Sequence, residues 1–217
     1  MYLILLGAPG TGKGTQAKVL AERRGWLHLS TGEMLRESVA NETRLGKAAK
    51  AYMEKGALVP DELVIEMLVE RIDHKDADAG FVLDGFPRTV AQAQALDQAL
   101  EDAGKSVDLA VYITVPDEEI VRRLSGRWLC PNCGAIYQAT THAPKVEGVC
   151  DRCGHTLEQR PDDAPETVRS RLQNQKPPPE MLAHYRGQEK LTEIDGTEPV
   201  ERVTKALLQA IDERSRK

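Results

Sequence analysis

Aromatic side chains are scarce: they make up 4% of the 217 residues, with two Trp and two Phe, so aliphatic residues must build the core. Long hydrophobic runs are missing too. No stretch approaches the roughly 18 apolar residues a membrane helix needs. Tyr2–Leu6 is apolar, but it is too short for a signal segment, no basic residue precedes it, and Gly7-Ala8-Pro9-Gly10 breaks it at once. These absences predict a soluble, cytoplasmic protein with no membrane partner. Excess positive charge is also lacking. Lys and Arg number 29 against 34 Asp and Glu, a formal charge of −5, which argues against a nucleic-acid backbone as the main partner. Any anion site must come from local clustering. Cysteine is absent except between positions 130 and 153.

What is present is ordinary for a globular chain: 41% hydrophobic and 29% charged residues. Short apolar runs alternate with amphipathic segments. Strands are predicted at Tyr2–Leu6, Trp26–Leu29, Gly80–Gly85, Asp108–Val115 and, more weakly, Leu191–Asp195. Helices are predicted at Gly14–Arg24, with Gln16, Lys18 and Glu22 on its wet side, at Glu62–His74 and at Val90–Ala103. Strands spaced by helices imply an α/β fold with a five-stranded parallel sheet covered on both faces. Two regions break the rhythm and read as insertions. Residues 31–59 are helical and polar, and residues 126–163 carry the cysteines without a helical period. "KPPP" at Lys176–Pro179 reads as a break between helices, since proline lacks the N–H a helix interior needs.

"GAPGTGKGT" has Gly7, four residues, then Gly12-Lys13, between a predicted strand and a predicted helix. That context is a P-loop. Glycines let backbone N–H groups converge on phosphate oxygens, the helix N-terminus adds partial positive charge, and Lys13 adds a full one. Gly10, Thr11, Gly12, Lys13, Gly14 and Thr15 are thus candidate ATP contacts. The hydroxyl that usually follows the lysine and ligates Mg²⁺ is missing, because Gly14 stands there. Mg²⁺ must then be held mostly by nucleotide phosphates and water, which favours a small-substrate kinase over a GTPase or motor. Asp84, at a strand end, is expected to orient Mg²⁺ waters; its alternative is a helix cap.

Cys130, Cys133, Cys150 and Cys153 form two Cys-x-x-Cys pairs sixteen residues apart. They fit a closed tetrahedral Zn²⁺ site, one per chain, structural because protein fills all four positions. Iron could occupy the same thiolates. His142 and His155 are nearby spares, expected to face solvent.

The chain resembles the adenylate kinases of the long-lid bacterial type. The matching stretches are "GAPGTGKGTQA", "LSTGEMLR", "KGALVPDELV", "GFVLDGFPRT", "GRWLCPNCG", "PDDAPETVRSRL" and "EIDGTEPV", in order and across nearly the whole chain. The resemblance implies a P-loop kinase core of residues 1–29, 60–125 and 164–217, an AMP-binding insertion of residues 30–59, and a zinc-stabilised lid of residues 126–163. It implies the reaction ATP + AMP → 2 ADP, with ATP, AMP and ADP as small-molecule partners. Transfer between two phosphates needs positioning and charge neutralisation more than a general base.

By the same resemblance Arg36 and Arg88 grip the AMP phosphate, Arg123 and Arg127 serve the ATP phosphates, and Arg160 and Arg171 reach in from the lid and the helix after it and contact AMP as well. With Lys13 these are the expected catalytic cations, Arg36 excepted as an AMP contact. Arg169 has the same look but ranks lower. Thr31, Gly85, Phe86, Pro87, Gln92, Ala57, Leu58 and Val59 are the expected remaining AMP contacts, the last three through backbone and an apolar shelf. Ile136, Tyr137 and Glu198 are further ATP candidates, with Tyr137 equally open to a place in the lid core. Asp162 and Asp163 would pair with arginines or metal waters. The rivals are a zinc-ribbon nucleic-acid reader, a GTP:AMP phosphotransferase and a pyrimidine monophosphate kinase. A monomer is the default.

Overall fold

The computed structural model describes residues 1–72, 79–139 and 142–216. Five strands, β1 (Tyr2–Leu6), β2 (Leu27–Ser30), β3 (Phe81–Asp84), β4 (Leu109–Thr114) and β7 (Leu191–Asp195), form one parallel sheet in the order β2-β3-β1-β4-β7. Alternate side chains of β1 serve two cores, as the strand period of two requires. Ile4 and Leu6 pack with Leu83, Phe86, Leu96 and Tyr185 on one face. Leu3 and Leu5 pack with Leu20, Val111, Leu207 and Ile211 on the other. Helices α4 (Asp61–Ile72), α5 (Val90–Asp102) and α8 (Pro179–Gly187) cover the first face, and α1 (Lys13–Arg24) and α9 (Val200–Arg214) the second.

All five predicted strands are present, shifted by at most a residue at their ends. The end of the helix expected at Glu62–His74 lies outside the described residues. The expectation for Gln16 is corrected. It is buried at 3% exposure, donates to Val200 O at 3.0 Å and accepts from Thr204 Oγ1 at 2.8 Å. It lies one turn before Leu20, on the core face of α1, and ties α1 to α9.

Residues 31–59 fold as α2 (Thr31–Ala40) and α3 (Arg44–Glu54). Ser30 and Thr43 cap them, their hydroxyls accepting from Glu33 N and Gly46 N. The cysteine region carries the antiparallel ribbon of β5 (Arg127–Leu129) and β6 (Ile136–Gln138). Helix α6 (Asp117–Ser125) leads into it, and α7 (Pro165–Gln175) follows it after a single 3₁₀ turn at Pro161–Asp163. Residues 176–178 separate α7 from α8, as expected, and Pro179 opens α8. In this order the strands' carboxyl ends, the insertion, the ribbon and α7 surround one space, the usual place for a ligand in an open parallel sheet.

Candidate active site

The loop between β1 and α1 is shaped by glycines where a side chain would not fit. A Cβ on Gly7 would lie 2.7 Å from Ile113 O and 2.8 Å from Thr11 Oγ1. Gly12 caps α1 in the left-handed region at φ 96°. Lys13 opens α1 and folds back over the loop, its Nζ donating to Gly7 O at 2.9 Å and Ala8 O at 2.7 Å. Burial lowers its pKa to about 8, with Arg88, Arg171 and Arg127 adding to that and Asp84 opposing it. Gly14 has its own explanation: a Cβ there would sit 3.2 Å from Asp84 Oδ2. A serine or threonine after the lysine would crowd that carboxylate.

The loop faces a cleft of about 810 Å³. Lys13, Arg36, Arg88, Arg123, Arg127, Arg160 and Arg171 all line it, as do Gly10, Thr11, Gly12, Gly14, Thr15, Asp84, Ile136 and Glu198. The arginines arrive from α2, the loop after β3, α6, β5, the residue before the 3₁₀ turn, and α7. Local acceptors aim them. Arg127 makes a two-pronged pair with Asp163, at 2.8 Å from Nε and 2.6 Å from Nη2. Arg171 Nη1 reaches the same carboxylate at 3.1 Å and Asp162 Oδ2 at 3.0 Å. Arg88 donates to Gly85 O at 2.6 Å and Gln175 Oε1 at 2.5 Å. Arg160 Nε is buried with no hydrogen-bond partner among the described residues. Burial pushes Arg88 and Arg160 down to about 10, and neighbouring arginines add to it. For Asp162 burial acts upward, but Arg171, Arg36, Arg127 and Arg160 together outweigh it and hold the carboxyl below its usual value. Such a convergence of cations suits a polyanion. Arg169 is exposed, whereas Arg171 is buried at 8% exposure.

A smaller pocket of about 60 Å³ adjoins this cleft. Thr31, Arg36, Ala57, Leu58, Val59, Gly85, Phe86, Arg88, Gln92 and Arg171 line it, with Leu35, Met53 and Val64 adding apolar wall. It is a slot of mixed lining, with the apolar side chains of Leu35, Met53, Val59, Val64 and Phe86 beside the cations Arg36, Arg88 and Arg171 and the carboxylate of Asp162. Of the residues expected around AMP, Arg160 lines the large cleft instead, and Pro87 lines neither.

Tyr137 takes the second of its two expected places, in the core of the ribbon. It is 2% exposed and packs with Cys130, Cys150 and Leu157 inside the ribbon. Strand alternation explains it: its neighbours Ile136 and Gln138 face the cleft, so Tyr137 faces away. Its hydroxyl accepts from Asp151 N at 2.8 Å and lies 3.5 Å from Cys150 Sγ. The four cysteine sulfurs lie within 4.8 Å of one another. Cys130 and Cys153 approach to 3.4 Å, and Cys133 and Cys150 to 3.5 Å. Those separations are far longer than a disulfide's roughly 2.05 Å, and near the roughly 3.8 Å expected across a tetrahedron with 2.3 Å metal–sulfur bonds. The two halves repeat each other. Cys130 N donates to Ala135 O and Gly134 N to Cys130 O; Cys150 N donates to His155 O and Gly154 N to Cys150 O. Gly134 and Gly154 both take left-handed φ, 66° and 72°. The cluster fits one closed metal site with Tyr137 as an outer support.

The family model for "Adenylate kinase" matches residues 5–190. The chain belongs to the adenylate kinase family. It is similar to adenylate kinases along nearly its whole length. The one from Caldicellulosiruptor bescii is 51% identical over 214 residues, 97% of this chain and 99% of that protein. The one from Lachnospira eligens is 48% identical over 213 residues, covering 97% and 100%. The one from Archaeoglobus fulgidus is 49% identical over 211 residues, covering 95% and 96%.

Several residues of this site escaped sequence reasoning. Gln175 bridges Arg88 to Gly56 O, at 2.5 and 2.8 Å, and so ties α7 to the end of the insertion. Gln138 anchors the ribbon to α6 by donating to Arg123 O at 2.7 Å. Glu119 holds Arg123 and Arg122, and those hydrogen bonds drop its carboxyl to about 2. His142, expected at the surface, is exposed but also lines the cleft and stacks on Tyr137 with ring centroids 5.4 Å apart. A polar residue on the buried phase of a helix was the available signal for Gln175; Gln138, on the cleft side of β6, offered none.

Proposed function

We propose that this chain transfers the γ-phosphoryl group of MgATP reversibly to AMP, giving two ADP. The observation that carries the reading is the convergence of Lys13 and six arginines where a large cleft meets a small slot. ATP lies in the large cleft with its phosphates on the P-loop amides and Lys13. AMP lies in the slot, its base against Val59, Leu35 and Met53 and its phosphate toward Arg36 and Arg88. The two phosphate tails then meet among Arg88, Arg123, Arg127, Arg160 and Arg171. These residues neutralise charge on the transferring group and hold attacking and leaving oxygens in line. The acceptor is already ionised, so no side chain need remove a proton. Mg²⁺, when bound with ATP, adds charge neutralisation at the β and γ oxygens. Asp84 would accept from its waters, and Gly14, which brings no Cβ against that carboxylate, supports this role.

Residues 30–59 serve in this reading as the AMP-binding insertion and residues 126–163 as a lid on a core made by the rest. The ribbon reaches the core: a Cβ on Gly134 would lie 3.4 Å from Lys18 Nζ. The four cysteines hold one structural Zn²⁺, which fastens a segment whose own core, among the described residues, is a cluster of five buried side chains. Among the described residues no helix is long and apolar enough to cross a membrane. The test is a transfer matrix of ATP, GTP and UTP against AMP, GMP, CMP and UMP with Mg²⁺. ADP from ATP with AMP is expected. Products from pyrimidine acceptors alone, or none at all, would overturn the reading.

A further inference from the structure

We infer that Asp61 is a positioning residue that sets which purine the small pocket accepts, by fixing the orientation of the Gln92 side-chain amide. The inference rests on the reading of that pocket as the AMP site. Gln92 is 2% exposed and lines the slot. Both ends of its amide are held. Its Oε1 accepts from the backbone N–H of Arg88 at 2.7 Å, and its Nε2 donates to Asp61 Oδ1 at 2.6 Å. The orientation follows from chemistry, because a backbone N–H can only donate and a carboxylate can only accept. The flipped amide would set carbonyl against carboxylate and NH₂ against N–H. Thr89 completes the clamp. Its hydroxyl donates to Asp61 Oδ2 at 3.0 Å and accepts from Gln92 N at 3.1 Å.

After those bonds Gln92 keeps one N–H on Nε2 and one lone pair on Oε1. A fixed donor beside a fixed acceptor reads a base edge of one polarity. A 6-aminopurine offers a donor at its amino group and an acceptor at N1, matching Oε1 and Nε2. A 6-oxopurine offers an acceptor at O6 and a donor at N1–H, the reverse of what Gln92 presents. A buried amide that could turn over would satisfy either. Asp61 lies at the first position of α4, outside both pocket linings, and acts only through Gln92.

The experiment compares AMP with IMP, which differ at this edge alone, as acceptors for MgATP. Wild type is expected to prefer AMP by about a hundredfold or more in kcat/KM, since unpaired buried polar groups reject the wrong partner strongly. Asp61→Ala is expected to shrink that preference about tenfold, through a higher KM for AMP with kcat little changed and IMP unaffected or improved. Asp61→Asn can still accept from Gln92 through its carbonyl and should keep most of the preference; it also serves if the alanine variant folds poorly. In a Gln92→Ala background, Asp61→Ala should move the ratio no further. Parallel losses for AMP and IMP, or the same change with and without Gln92, would overturn the inference and leave Asp61 a structural residue of α4. If wild type phosphorylates neither nucleotide, the reading of the pocket fails instead.

Discussion

Asp163→Asn puts the cation cluster itself under test. Asp163 is 5% exposed and its carboxylate takes three hydrogen bonds from two arginines. Asparagine keeps the shape and removes the charge. Arg171 retains Asp162 at 3.0 Å, but Arg127 loses its two-pronged partner while facing Arg160, Arg36 and Lys13. Breaking a buried ion pair from one side costs about 3–5 kcal/mol. The lower end applies here, since the cleft admits solvent and Asp162 remains. For a chain of this length about 3 kcal/mol corresponds to roughly 6–12 °C in Tm. The assay is thermal unfolding at pH 7, with and without saturating ADP. Nucleotide phosphates should compensate the stranded arginines, so the gap between variant and wild type should narrow by about half or more with ADP. A loss under about 2 °C without nucleotide would refute the reasoning, as would a gap that ADP leaves unchanged.

Lys13 carries a pH dependence. Its folded pKa of about 8 lies below the ordinary 10.5, chiefly through burial, so the protonated form costs stability below pH 8 and the fold gains stability as pH rises from 8 toward 10.5. Bound phosphate restores the charge, so kcat/KM for ATP should fall above about pH 8 while kcat holds to higher pH; pH profiles of both check this. Gly46→Ala should damage the AMP side selectively. A Cβ there would fall 1.9 Å from Ser38 O, forcing α2 from α3 at a cost of about 3 kcal/mol, and calorimetry should show AMP binding weakened well beyond ATP binding. Metal removal by a thiol-competing chelator should release one Zn²⁺ per chain and lower Tm, yet leave most activity at a temperature where the fold persists. Complete loss of activity there would contradict a purely structural metal.

The parts of this molecule legible from sequence were those whose chemistry is contiguous. The P-loop needs its glycines and lysine within nine residues, and the cysteines announce themselves by paired spacing. The parallel sheet was legible because buried strands read as short apolar runs. What escaped depended on phase and tertiary partners. Arg171 was ranked above Arg169, and phase gives the reason: they are two residues apart and so point to opposite sides of α7, with Val168, buried at 0% exposure and three residues before Arg171, marking the inner face. Tyr137 could have been placed by alternation along β6. Gln16 lay one turn before Leu20. The Asp61–Gln92 clamp joins residues 31 apart in sequence and left no local trace.

The measurement that tests the central claim most directly is the stereochemical course at phosphorus. ATP made chiral at the γ position by oxygen isotopes would be incubated with AMP, Mg²⁺ and the protein, and the configuration of the β-phosphoryl group formed on AMP determined. Direct in-line transfer between two nucleotides held by the lysine and arginine cluster gives inversion, the expected result. Retention would mean a phosphorylated side chain as intermediate, and would contradict a site that works by positioning and charge alone.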